Sequence, residues 1–104
     1  MNALVLIYAT FADSQEAERI AMELLHDKLI VCANILPKVN SMYLWEGKIN
    51  NSNEAVAIMK SRSDLTDRII ERVEARHSYS QPVVAVISIA EANKSFIDWV
   101  NIGV

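Results

Sequence analysis

The chain switches between two hydrophobic rhythms. Ala3 to Ala9 is a continuous apolar run bounded by Asn2 and Thr10, which predicts a strand buried on both faces. Asp13 precedes Ser14-Gln15-Glu16, a helix N-cap with an acid three residues on. Ala17, Ile20, Ala21, Leu24 and Leu25 follow at three- and four-residue steps. They predict a helix that ends near Lys28, with Glu16, Glu18, Arg19 and Glu23 on its solvent side. Leu29 to Ile35 is again apolar and partly β-branched, Pro37 predicts a bulge or bend, and Ser41 to Trp45 resumes the strand. Glu46-Gly47-Lys48 and Asn50 to Asn53 are two polar breaks, so the hairpin has two candidate tips. In residues 55–60, Val56 and Ile58 share one face and Ala57 and Met59 the other. Ser63 or Asp64 caps a second helix carrying Leu65, Ile69, Val73 and His77, which Ser78, Ser80 and Pro82 end. Val83 to Ile89 reads as a second buried strand. Asn93 opens a short helix with Phe96, Ile97, Trp99 and Val100 on its buried side.

The predicted order is β-α-β-β-α-β with an added C-terminal helix. This is the α+β class, and two βαβ halves of this kind build a ferredoxin-like sandwich. Residues 1–104 are expected to form a single domain. In that fold both main helices lie on one sheet face, and the small third helix cannot cover the other. Residues 30–45, fully extended, would reach on the order of 50 Å, against a radius of gyration of about 13 Å for such a domain. That arm folds back at Pro37 or reaches onto a neighbour. A second copy of the chain is the expected cover, and a closed cyclic assembly would remove its open edges.

Hydrophobic residues make up 52% of the chain, which favours additional buried surface at a subunit contact. The net charge is −3 with no basic tract, so nucleic acid is not an expected partner. Leu4 to Ala9 is too short to span a bilayer and has no flanking basic region, which predicts a protein that is neither membrane-embedded nor secreted. The expected setting is the cytoplasm. The single cysteine, Cys32, excludes an internal disulfide framework. No Ser–His–Asp pattern or Gly-rich phosphate loop is evident, so no enzymatic activity is expected.

Four stretches carry a resemblance to the CutA family, named for divalent-cation tolerance: E-A-E-R-I-A at 16–21, K-L-I-V-C-A-N-I at 28–35, S-M-Y-L-W-E-G-K-I at 41–49 and H-S-Y-S-Q-P at 77–82. The likeness runs over nearly the whole chain. It implies a ferredoxin-like fold and a homotrimer whose long β2–β3 arms pair between subunits. It further implies a role in divalent-metal response, with weak copper binding. Ala9, Ala12 and Val83 stand where the family pattern has cysteine, proline and an acid.

Candidate chemistry centres on a few side chains. His77 is the first candidate metal ligand, with Cys32 as a soft donor suited to copper, although each also has a structural reading as a helix-end histidine and a buried thiol. Tyr43, Trp45, Glu46 and Lys48 form an aromatic and charged cluster, which suits either a subunit interface or a small-ligand cleft, and Tyr79 joins it. By analogy of architecture, a trimer of such subunits is similar to PII signalling proteins. The rival expectation is therefore a small-ligand sensor.

Overall fold

The computed structural model describes residues 3–104. Strand β1 (Leu4–Phe11) is followed by helix α1 (Ser14–His26) and the long strands β2 (Cys32–Trp45) and β3 (Lys48–Arg62). A 3₁₀ turn over Ser63–Leu65 leads into α2 (Thr66–Arg76), then β4 (Val84–Ser88) and α3 (Lys94–Gly103). The strands form one antiparallel sheet in the order β2-β3-β1-β4. This is the ferredoxin-like arrangement, with an added helix.

One sheet face holds the core. Val5, Ile7, Ala9 and Phe11 of β1 and Ala55, Ala57 and Met59 of β3 pack with Ala17, Ile20 and Leu24 of α1 and Ile69 and Val73 of α2. Alternation explains the selection, because these positions are two apart on each strand and share a face. Ser61 is the polar member of that row, and its hydroxyl donates to the Leu29 carbonyl at 2.6 Å.

Helix α1 starts as its sequence dictates, with the Asp13 carboxylate accepting from the Glu16 N–H at 2.9 Å. It ends in a Schellman arrangement: the Leu29 N–H donates to the Leu24 carbonyl and the Lys28 N–H to the Leu25 carbonyl. Lys28 takes φ 57° there, where glycine is the usual occupant. Helix α2 differs from expectation. Neither Ser63 nor Asp64 caps it; Asp64 instead pairs with Arg62, and the 3₁₀ turn supplies the start. Glu23 is not a purely solvated residue either, since it binds Arg72 and Arg76 of α2.

The hairpin tip is at Glu46-Gly47, closed by the Trp45–Lys48 pair. Both turn residues have positive φ, 51° and 77°, as a type I′ turn requires. Asn50 to Asn53 are not a break. They continue β3 in register with Tyr43, Met42, Ser41 and Asn40. Pro37 interrupts the pairing without reversing the chain: the register shifts between Leu36 and Val39, a bulge inside a continuous strand. The arm therefore stays extended, and the molecule is 44 Å long against 26 and 22 Å across.

The far sheet face is less covered than the sequence suggests. Leu6, Tyr8 and Thr10 are half-buried, so β1 is not enclosed on both sides. Strand β4 is shorter than expected and largely exposed, with Val83 before it. Helix α3 shields only the end of this face near Lys60, whose ammonium lies 6.0 Å from the Phe96 ring centroid. Val100 is buried there, whereas Trp99 is half exposed. Lys28→Gly is expected to stabilise the protein by about 0.5–1 kcal/mol, because glycine relieves the left-handed strain but adds unfolded-state entropy. A urea unfolding midpoint that stays put or falls would show that the lysine is unstrained.

Candidate functional site

Three consecutive events place the site. Strand β1 ends at Phe11, α1 begins after Asp13, and α2 ends at Arg76 with His77 as its C-cap, all at one end of the sheet. His77 leaves the helix in an extended conformation and stacks its ring on Phe11, with centroids 4.9 Å apart. Its Nδ1 accepts the Tyr79 N–H at 3.0 Å, which fixes the tautomer, so Nε2–H donates to the Thr10 carbonyl at 2.7 Å.

Glu16 completes the junction. It is almost fully buried, although the sequence places it on the solvent side of α1. One carboxylate oxygen accepts the Ala12 N–H at 3.1 Å and the other the Ser78 N–H at 2.9 Å. Burial alone would raise its pKa, but the Ser78 and Ala12 hydrogen bonds and nearby His77 hold it below the ordinary carboxylate value. The capping-box position was the signal for such a role. Its side chain reaches one residue further back than the usual cap.

This latch sets the segment 78–83 over the far sheet face. Tyr79 donates its hydroxyl to Glu54 of β3 at 2.8 Å. Burial and the adjacent Glu54 carboxylate push the Tyr79 phenol up to about 12, so it remains a hydrogen-bond donor. Beneath it lies an open cleft of about 620 Å³. Tyr8 and Thr10 form its floor, Ser52 and Glu54 continue it along β3, and Tyr43 and Trp45 extend it onto the arm.

The Pro37 bulge decides which arm residues line the cleft. Before it, Cys32, Asn34 and Leu36 pair with Lys60, Ile58 and Val56; after it, Val39, Ser41, Tyr43 and Trp45 pair with Glu54, Ser52, Asn50 and Lys48. Paired residues share a face. The extra residue thus turns the odd-numbered side chains of the outer arm toward the cleft, and with them Tyr43 and Trp45.

The structure brings Tyr43, Trp45 and Tyr79 together along this cleft, but not Glu46 or Lys48. Glu46 sits in the turn and Lys48 beyond the lining, because the I′ turn ends the cleft at Trp45. The proposed metal pair also separates. Cys32 is half-buried rather than enclosed, at the Lys60 end of the sheet, with its Sγ 3.7 Å from Lys60 Nζ. His77 has both ring nitrogens engaged and offers no free lone pair in this arrangement. Among the described residues, no three His, Cys, Asp or Glu side chains converge on a metal position. Glu54, Tyr8 and Thr10 are lining residues that periodicity alone did not single out.

A sequence model of the family described as CutA1 divalent ion tolerance protein matches residues 5–102. The divalent-cation tolerance protein CutA of Archaeoglobus fulgidus is 42% identical over 95 residues, covering 91% of this chain and 92% of that one. Among solved structures, CutA1 from Ehrlichia chaffeensis superposes with a TM-score of 0.92 at 39% identity, over 97% of this chain and 94% of its own. The structure of the periplasmic divalent cation tolerance protein CutA from A. fulgidus gives 0.93 at 39% identity, over 96% and 97%.

Glu16→Ala is expected to cost about 1–3 kcal/mol, since it strands the Ser78 and Ala12 N–H groups. The pH dependence follows from the lowered pKa. The stabilisation is present above the unfolded carboxylate value of 4.5 and is lost as pH falls through the lower folded value. Chemical denaturation between pH 7 and 3 should therefore show Glu16→Gln losing less stability on acidification than the parent. Parallel profiles would remove Glu16 from the latch.

Proposed function

The chain belongs to the CutA1 divalent ion tolerance family, and from that premise we propose that it acts as a non-enzymatic, cytoplasmic homotrimer in the response to divalent metal ions. One observation carries the assembly. The outer arm is apolar yet uncovered within the protomer: Met42, Leu44 and Ile49 are 68–76% exposed and Trp45 is 54% exposed. A ribbon of this kind gains stability only against another surface. Val86 and Ile87 of the opposite edge strand, one on each sheet face, are exposed apolar side chains too, and an interface joining these unlike edges forms a ring where its rotation closes. The free Cys32 thiol fits a reducing compartment, although the A. fulgidus relative is called periplasmic.

Copper, on this reading, is held weakly. A protein site normally assembles three or four donors, and the half-exposed Cys32 thiol is the accessible soft one. His77 supports the fold instead. A small-ligand sensor of the PII-like kind is the second reading, favoured by the open cleft beneath Tyr79.

Sedimentation equilibrium should give three times the 11.7 kDa chain mass, and a folded single subunit at micromolar concentration would contradict the assembly. Trp45→Ala should weaken that association and lower the melting temperature by several degrees. In a copper(I) titration, Cys32→Ser should abolish the weak binding, whereas His77→Ala should leave it intact and instead cost about 1–3 kcal/mol of stability. Tight binding lost in His77→Ala would reverse the assignment.

A further inference from the structure

Once other copies cover the far sheet face, the cleft beneath Tyr79 becomes an internal surface. Its lining is largely aromatic or hydroxylic, and Glu54 is the only charged side chain in it. Glu54 Oε2 accepts from Tyr79, and the carboxylate forms no ion pair among the described residues. A covering subunit takes the other oxygen out of water. A carboxylate buried in that way without a counter-charge is strongly destabilising. Whatever covers Glu54 therefore has to bring it a cation.

The chain has few cations to bring. Arg62, Arg72 and Arg76 already hold carboxylates, and Arg68 lies on α2 in the helix layer of the opposite face. Lys60 is on the far face but is held at the α3 end, beside Cys32 and Phe96. Lys48 is exposed and unpaired, and it shares the far face as the cross-strand partner of Trp45. Strand rise sets Lys48 about 20 Å from Glu54 of its own chain. A Lys48 that reaches Glu54 must come from another copy. The arm tip also matches the walls, since it presents an indole and an ammonium on an apolar stem side by side.

We infer that the inner end of the cleft is the seat for the arm tip of a neighbouring copy, with Lys48 of the partner subunit paired to Glu54 and Trp45 of the partner subunit against the aromatic walls. This rests on the homotrimer reading above and specifies its contact. Tip and seat are unlike surfaces, so the contact repeats head to tail and closes where its rotation allows. A small molecule entering the inner cleft would have to displace the tip.

Carbodiimide coupling of the full-length protein, which joins contacting lysine and carboxylate side chains without a spacer, tests the contact. In a mixture of isotopically light and heavy chains, mass spectrometry should find peptides containing Lys48 joined to peptides containing Glu54 in hybrid pairs. Lys48→Glu and Glu54→Lys should each raise the concentration of half-dissociation by about tenfold or more, and the double reversal should regain most of that loss. Lys38→Glu, the same charge change in the bulge, should stay within about twofold of the parent. Glu54→Lys also loses the Tyr79 bond, so the hybrid links and Lys48→Glu decide the case if that variant fails to fold. An assembly whose dissociation Lys48→Glu leaves unchanged, or Lys38→Glu weakens as much, would overturn the seat and leave the homotrimer standing. Coupling confined to other side chains would do the same. A folded single subunit across the whole concentration range would overturn both.

Discussion

The structure depends on a sheet for which its own chain provides only half the cover. Helices α1 and α2 bury the β1 and inner β3 part of one face, and α3 reaches only one end of the other. The two longest strands then run past the domain as a two-stranded ribbon with apolar side chains outward. An isolated hairpin of this kind is marginally stable in water. Its persistence as a flat, regular arm makes sense when other surfaces complete it, and the exposed edge strands β2 and β4 are where such surfaces can add.

The half-covered face is also where chemistry can occur. A single inserted residue near Pro37 rotates the outer arm so that Tyr43 and Trp45 look onto the same surface as Tyr8 and Thr10. At the other side, Glu16 and His77 pin the exit of α2 to the end of β1, and Tyr79 is delivered to Glu54. The histidine that resembles a metal ligand in sequence spends both nitrogens on this positioning. The site's character is therefore set by buried backbone hydrogen bonds on one sheet face and expressed by aromatic groups on the other.

Much of the architecture was legible in the sequence. The Asp13–Glu16 spacing marked a helix start, the alternation over residues 55–60 marked a strand without saying which face met the core, and Pro37 marked a bulge or bend. The hairpin tip was ambiguous because Asn50 to Asn53 have turn-like composition, and the cross-strand pairing that holds them as strand is a tertiary property. Val83 to Ile89 looked buried because hydrophobicity reports what a residue prefers and not whether its own chain satisfies it. Glu16 was misplaced for a related reason: periodicity placed it outward, and only the return of Ser78 from 62 residues away encloses it. Glu54 was not singled out because its partner Tyr79 comes from a segment 25 residues further along the chain.

Amide hydrogen exchange on the arm tests the central claim most directly. Within one protomer, the N–H groups of β2 that point away from β3 have no partner strand, since β2 ends the sheet. If other copies complete the arm, those outward amides between Asn40 and Trp45 should exchange as slowly as the inward ones bonded to β3. Outward amides exchanging at the rate of an open edge, alongside a protected core, would contradict the account.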